Sequence, residues 1–412
     1  VTVAGNVAQY VTPTVSGAHV SITQDDAVSD QTCGEITYAL TGSSDDGEFA
    51  MKGSYKASIE LRGVSLTNPS GAPLDIQDGK RISLSIKKDT ENTLTDATGG
   101  SQKGCIVCKG HLELKGKGEL NVYGNTAHAV YAKEYVEMKN CTLNVLSAMK
   151  DGVNCNQYFF LESGALNISG VQDDGMQVSY KNDTDREAED TGTITIAGGS
   201  VNIAVTGTAT KGLKADGDVI VSDGVITVTT AGGGKWDEEN AKTKASTCIS
   251  ADRKVQIDGG TLSLTSTGSG GKGISCDGEL VINNGDITVV TSGGMYAYVN
   301  GREYTDYTGN TDYLDSDQKS SPKGIKSDGN VTINGGNIKV TTTGNGAEGI
   351  ESKAVLTIND GTIVVNSCDD AINSSSHMYI KGGDVTVVAT DNDGLDSNGN
   401  LYISGGVIRA VG

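Results

Sequence analysis

Proline is nearly absent: 4 residues in 412, against 57 glycines. With β-branched residues dense throughout, that mixture reads as strands separated by glycine turns and excludes a mainly helical chain. Aromatic residues are only 5%, and there is a single tryptophan. No apolar run approaches the roughly 18 to 20 residues of a membrane-spanning helix, so no membrane insertion is expected. Cationic residues are outnumbered, and the formal net charge is −20. Such a surface repels nucleic acid and anionic lipid, which excludes both as general partners. The four histidines (His19, His111, His128, His377) are scattered and no paired array of Cys-x-x-Cys motifs exists, so a zinc site is not expected. No EF-hand loop is present. No basic and apolar leader opens the chain at Val1, which reads as a leader already removed from a secreted or cell-surface protein.

What is present is a repeat. A small residue followed by an aliphatic recurs at Cys105-Ile106, Ala129-Val130, Gly152-Val153, Gly175-Met176, Gly212-Leu213 and Cys248-Ile249. It continues at Gly273-Ile274, Gly324-Ile325, Gly349-Ile350, Ala371-Ile372 and Gly394-Leu395. The steps between these anchors are 24, 23, 23, 37, 36, 25, 51, 25, 22 and 23 residues, a period of about 23 interrupted by insertions. Three residues after each anchor comes another small or β-branched one, among them Cys108, Cys155 and Cys276, which places these thiols in a buried column and not in catalysis. Each period adds two short alternating pieces, such as Val331-Thr332-Ile333 and Ile338-Lys339-Val340 around Gly335-Gly336.

Three short strands per coil, stacked in parallel, predict an all-β fold: a right-handed parallel β-helix of about 11 regular coils. A propeller needs blades of about 40 residues, and the period excludes it. Ile59-Glu60-Leu61, Val64-Ser65-Leu66 and Ile82-Ser83-Leu84 predict irregular coils upstream. Residues 1–45 are expected to cap the N-terminal end, and 46–412 to form a single domain with insertions at 181–192, 231–247 and 292–321.

Ala72-Pro73-Leu74-Asp75-Ile76 and the stretch from Ile82 to Asp96 resemble the N-terminal signature of a group of secreted bacterial carbohydrate-binding domain-containing proteins. Gly110-His111-Leu112-Glu113-Leu114-Lys115-Gly116 and Lys150-Asp151-Gly152-Val153 are similar to it too. The resemblance covers roughly residues 50–412. It implies a calcium-containing β-helix, pectate-lyase-like in fold, that binds cellulose or polygalacturonate.

Charge is sorted along the anchors. Glu348, Glu351, Asp369, Asp370, Asp391, Asp393 and Asp396 gather near one corner of successive coils, and Asp151, Asp173 and Asp174 form a smaller group. Carboxylates about 5 Å apart repel by roughly 3 kcal/mol at an effective dielectric of 20. A hard cation such as calcium relieves that repulsion; solvated turn acids are the alternative. Between the acidic blocks lie Lys211, Lys214, Lys272, Lys323 and Lys326, a basic strip suited to an anionic chain or simply balancing local acids. The insertion at 181–192 is polar and acidic. The others hold Trp236 and, in 292–321, Tyr296, Tyr298, Tyr304, Tyr307 and Tyr313, aromatic faces of the kind that stack on sugars or pin their own loops.

These features favour non-catalytic polysaccharide binding by a calcium-stabilised monomer at the cell surface. The alternatives are a calcium-dependent lyase or a glycoside hydrolase, with Lys150 beside Asp151 as one acid–base pair, or a structural stalk.

Overall fold

The computed structural model describes residues 2–3, 5–180 and 187–412, and these are nearly all β, with 2% helix. Stacked parallel strands form a β-solenoid, about 16 turns counted along the chain. The chain divides into two compact units, Val1–Thr193 and Ile194–Gly412.

In the first unit the anchor phrases begin strands of one stack. Gly104–Cys108, His128–Ala132, Val153–Cys155 and Met176–Val178 lie parallel and in register, so that Ile106, Val130, Val153 and Met176 superpose, each fully buried. A second stack runs through Ile82–Ile86, Leu112–Gly116, Val136–Lys139 and Tyr158–Leu161, and a third through Glu91–Thr95, Glu119–Gly124, Thr142–Ala148 and Ala165–Ile168. Period-2 alternation sends every second side chain inward. Each enclosed aliphatic contributes about 1.5–3 kcal/mol, which is how strands of 3 to 7 residues hold together.

The stack begins earlier than the sequence indicates. Ala18–Gln24 already pairs in parallel with Gly47–Gly53, so residues 18–44 form a coil and not a cap. Capping falls to Val11–Ser16, which folds back antiparallel on Ala18–Gln24, and to the 3-10 turn Gly5–Tyr10. Antiparallel return closes an edge that would otherwise offer unpaired amides. The upstream coils differ in one respect: Ala57–Thr67 is a single strand that serves both the second and the third stack, pairing with Ile82–Ile86 and Glu91–Thr95. Gly63, at φ +72°, lets it bend between them.

The second unit repeats the plan. Leu213, Ile249, Ile274, Ile325, Ile350 and Ile372 superpose in the anchor stack. The glycine preceding each of four of these has a physical reason. A Cβ on Gly324 would meet Val340 Cγ1 at 2.3 Å and the Gly349 carbonyl at 2.6 Å, and Gly212, Gly273 and Gly349 are equally closed. The turns carry side-chain ladders: Asn359 donates to Asn334, Asn334 to Asn283 and Asn283 to Asp258, at 2.7, 2.7 and 2.6 Å. All eight cysteines are free thiols, and six are buried. Burial pushes Cys108 and Cys155 up to about 12, so they serve as packing residues.

Candidate functional site

The two long insertions leave the solenoid between a third-stack strand and the next anchor strand of the second unit, flanking the two coils that start at Thr247 and Lys272. Each folds into antiparallel strands. Lys235–Asp237 pairs with Lys242–Lys244; Tyr296–Val299 pairs with both Arg302–Tyr304 and Lys319–Ser320. Asn300 and Gly301, at φ 49° and 78°, make the tight turn between the last hairpin's strands, as an Asn-Gly pair is suited to do.

The insertions clasp each other. Trp236 lies parallel to Tyr298, with centroids 4.3 Å apart and 6° between planes. The Trp236 amide donates to Glu303 Oε1 at 2.8 Å, and Thr243 Oγ1 donates to the Lys319 carbonyl at 3.1 Å. Gly234 leaves room for the Tyr296 ring, since a Cβ there would lie 2.6 Å from Tyr296 Cγ. Tyr296 is fully buried, so it builds the clasp and cannot present its ring to a sugar. Trp236 and Tyr298 are half-buried, each with one face given to the other. Tyr304 is exposed and edge-on to the half-buried Tyr307, and Tyr313 is 86% exposed.

Beneath the clasp runs the basic column. Lys211, Thr247, Lys272 and Lys323 are register partners in turn, as are Lys214, Ser250, Ser275 and Lys326. Lys272 Nζ donates to Ser320 Oγ at 2.7 Å and to the Gly270 carbonyl at 3.2 Å, tying the second insertion to the solenoid. Burial, reinforced by repulsion from Lys326, Lys323 and Lys211, lowers Lys272 to about 7.

The column then meets acids and forms a network with them. Lys323, itself buried, pairs with Glu348 and, at 3.4 Å, with Glu351, which also pairs with Lys353. Burial raises Glu348 to about 7 despite Lys323. Burial acts on Glu351 too, but Lys323, Lys353 and Lys326 outweigh it and hold that carboxyl below its ordinary value. Glu348 Oε2 keeps no hydrogen-bond partner. Lys326 pairs with Asp328 at 2.6 Å, and Lys211 Nζ donates to the Ala209 carbonyl at 2.7 Å.

The acidic candidates therefore separate. Glu348 and Glu351 are neutralised by lysines and do not join the downstream aspartates as one cation site. Asp370 receives Asn373 Nδ2 at 2.9 Å and the Asp393 amide at 3.1 Å; Asp369 receives Asn392 Nδ2 at 2.8 Å; Asp391 receives the Cys368 thiol at 3.1 Å. Asp396 occupies the register position below Asn373. Among the described residues, the carboxylates that converge are Asp151, Asp173 and Asp174 in the first unit, with ligand oxygens all within 4.8 Å of one another. Asp151 and Asp174 are buried and Asp173 is exposed. Asn154 donates to Asp151 Oδ2 at 2.7 Å, and the Asp174 amide donates to Asp151 Oδ1 at 3.1 Å. His128 Nδ1 lies 3.3 Å from Asp151 Oδ2. Three hard oxygen donors facing one space suit calcium. Lys150 is exposed while Asp151 beside it is buried. Of the acidic insertion, 181–186, with Asp183 and Asp185, lies outside the described residues.

Sequence reasoning missed Glu303, Ser320 and the cations Lys235, Lys242 and Lys244 that flank Trp236 on its hairpin. The alternation Lys242-Thr243-Lys244 was the available signal.

A family model described as carbohydrate-binding domain-containing protein matches residues 16–294, 267–348, 319–394 and 340–411. The chain belongs to that family. A relative from Acetivibrio thermocellus, itself a carbohydrate-binding domain-containing protein, is 26% identical over 98 residues, 21% of this chain and 34% of the relative. The match thus spans about a third of that relative's length. A solved structure, the gadolinium derivative of the polysaccharide lyase-like protein from C. thermocellum, is similar with a TM-score of 0.44 and 20% identity. It covers 66% of this chain and 89% of that one.

Proposed function

We propose that the protein binds an acidic polysaccharide at the clasp and lysine column of its second unit, holding the chain without cleaving it. The observation that carries this is the placement of Lys272 and Lys323 on the anchor face between and beside the two insertions that bear Trp236, Tyr298 and Tyr304. The exposed Lys235 and Lys242 on the Trp236 hairpin fix uronate carboxylates, and the aromatic edges and exposed Tyr304 offer apolar contact. Calcium at Asp151, Asp173 and Asp174 stabilises the first unit. A secreted or cell-surface location suits a glycan-binding protein of this charge.

One observation favours a catalytic reading: a lysine lowered to about 7 is a competent general base for eliminating across a uronate. The experiment separates the two. The protein is passed over immobilised polygalacturonate at rising salt, and the same glycan is incubated with the protein and calcium. Salt-sensitive retention with neither unsaturated uronide absorbance nor new reducing ends supports binding. Steady product formation, lost in Lys272→Met, assigns the chain to the lyases. Absence of retention overturns the reading.

A further inference from the structure

Among the described residues no carboxylate pairs with Lys272. Its partners are two neutral oxygens, Ser320 Oγ at 2.7 Å and the Gly270 carbonyl at 3.2 Å. The Ser320 hydroxyl is itself spent on that carbonyl, donating to it at 3.0 Å, so it accepts from Lys272 and has no proton left to give it. An ammonium group carries three N–H donors. Two protein acceptors are present, so an ammonium leaves one donor without a protein partner, whereas a neutral amine makes both bonds and keeps its lone pair free. Burial, with repulsion from Lys326, Lys323 and Lys211, works in the same direction and outweighs the upward pull of Glu351. At neutral pH, with Lys272 lowered to about 7, a large share of the molecules therefore holds an unprotonated primary amine, which is a nucleophile.

The charges around this amine select its electrophile. Lys323 is the register partner of Lys272 on the next coil, Lys326 is that of Ser275, and Lys211 stands two coils back in the same column. Glu351, the acid that acts on Lys272, is already shared between Lys323 and Lys353. An aldehyde, such as the reducing end of a sugar, converts an amine to an iminium and adds a cation to this group. Carbon dioxide does the reverse, leaving an anion among three cations.

We infer that Lys272 takes up carbon dioxide, becoming a carbamate at Nζ that Lys211, Lys323 and Lys326 stabilise. The Nζ lone pair forms the N–C bond, one C=O π pair moves onto oxygen, and a proton leaves Nζ for water, so nothing is oxidised or reduced. The bond given up is the longer one to Gly270, whose carbonyl keeps the Ser320 hydroxyl; the bond to Ser320 remains. The inference goes beyond glycan binding and does not rest on it.

The test is to equilibrate the full chain with isotope-labelled bicarbonate at pH 8 and look by carbon nuclear magnetic resonance for a carbamate carbon, distinct from bicarbonate and dissolved carbon dioxide. Alkylation of the adduct and peptide mass spectrometry then locate it. A carbamate on Lys272 is expected, severalfold weaker at pH 6 under the same dissolved carbon dioxide, because the amine is protonated there. Lys272→Arg, which keeps a charge but removes the nucleophile, should abolish it. Lys326→Met should weaken it severalfold, since it removes a stabilising cation and lets Lys272 regain its proton at higher pH. No carbamate at pH 8, or one that survives Lys272→Arg, overturns the inference. Undiminished occupancy in Lys326→Met overturns it equally, because the neighbouring cations would then play no part. Retention on polygalacturonate without bicarbonate judges the glycan reading separately.

Discussion

The rings of Trp236 and Tyr298, from separate insertions, lie 4.3 Å apart and 6° from parallel. That contact makes two loops one layer. An aromatic pair is worth about 0.5–1.5 kcal/mol beyond the area it buries.

A double-mutant cycle of Trp236→Ala and Tyr298→Ala, read by urea denaturation, should therefore show coupling of about 0.5–1.5 kcal/mol. Each single variant should also loosen retention on an acidic glycan, because the layer above Lys272 no longer holds its shape. Strict additivity would mean that the insertions are fixed by their backbone contacts alone.

The anchor glycines make a second prediction. Gly324→Val and Gly349→Val place carbon where Val340 or Val365 and a carbonyl of the next coil already are, within 2.2–2.6 Å. Overpacking and backbone displacement should cost more than about 2 kcal/mol in each. Gly79→Ala is the control: a Cβ there meets nothing within 4 Å at an ordinary φ, and its stability should stay within about 0.5 kcal/mol of the parent.

The solenoid was legible because each inward residue, Leu213 or Ile325 for example, is fixed by a local alternation that repeats every coil. The site was legible only in part. The sequence singled out Trp236, Tyr298, Lys272 and Lys323, but burial of Tyr296 depends on Gly234 in the other insertion, a contact no periodicity encodes. Glu348 and Glu351 looked continuous with Asp370 because charge type repeats down the column. Their partners, Lys323 from the preceding coil and Lys353 just past the strand, depend on side-chain reach and not on spacing. Asp26 and Asp75, remote in sequence, line one cavity only because coils stack. Orphaned atoms such as Gln24 Oε1 leave no trace in composition at all.

Binding of an acidic glycan should fall as pH rises through about 7. Lys272, lowered to about 7 by burial and its lysine neighbours, is charged below that pH and neutral above it. Glu348, raised to about 7 by burial, is neutral below and anionic above. Both changes remove positive character from the same face, so they act together. Comparing affinity for oligogalacturonate at pH 6 and pH 8, at constant ionic strength, should show the loss. Glu348→Gln should retain only the part due to Lys272, and Lys272→Met with Glu348→Gln should flatten the profile. A profile that stays steep in the double variant would place the titrating groups elsewhere.

Calcium gives the last prediction, and its geometry points to the first unit. Asp151 and Asp174 are buried with Asp173 at the rim, oxygens within 4.8 Å, whereas Asp370 and Asp393 are tied by a backbone hydrogen bond without a third converging carboxylate among the described residues. A ligand bound only by the folded state stabilises it by about 2.7 kcal/mol at a hundredfold excess over its dissociation constant. Saturating calcium should thus raise the melting temperature by several degrees, and chelator should reverse the gain. Asp174→Asn should abolish most of the response. Asp370→Asn should leave it intact, which tells the two acidic groups apart. A melting temperature indifferent to calcium and chelator would leave Asp151 as a turn residue, held by Asn154 and the Asp174 amide for structural reasons only.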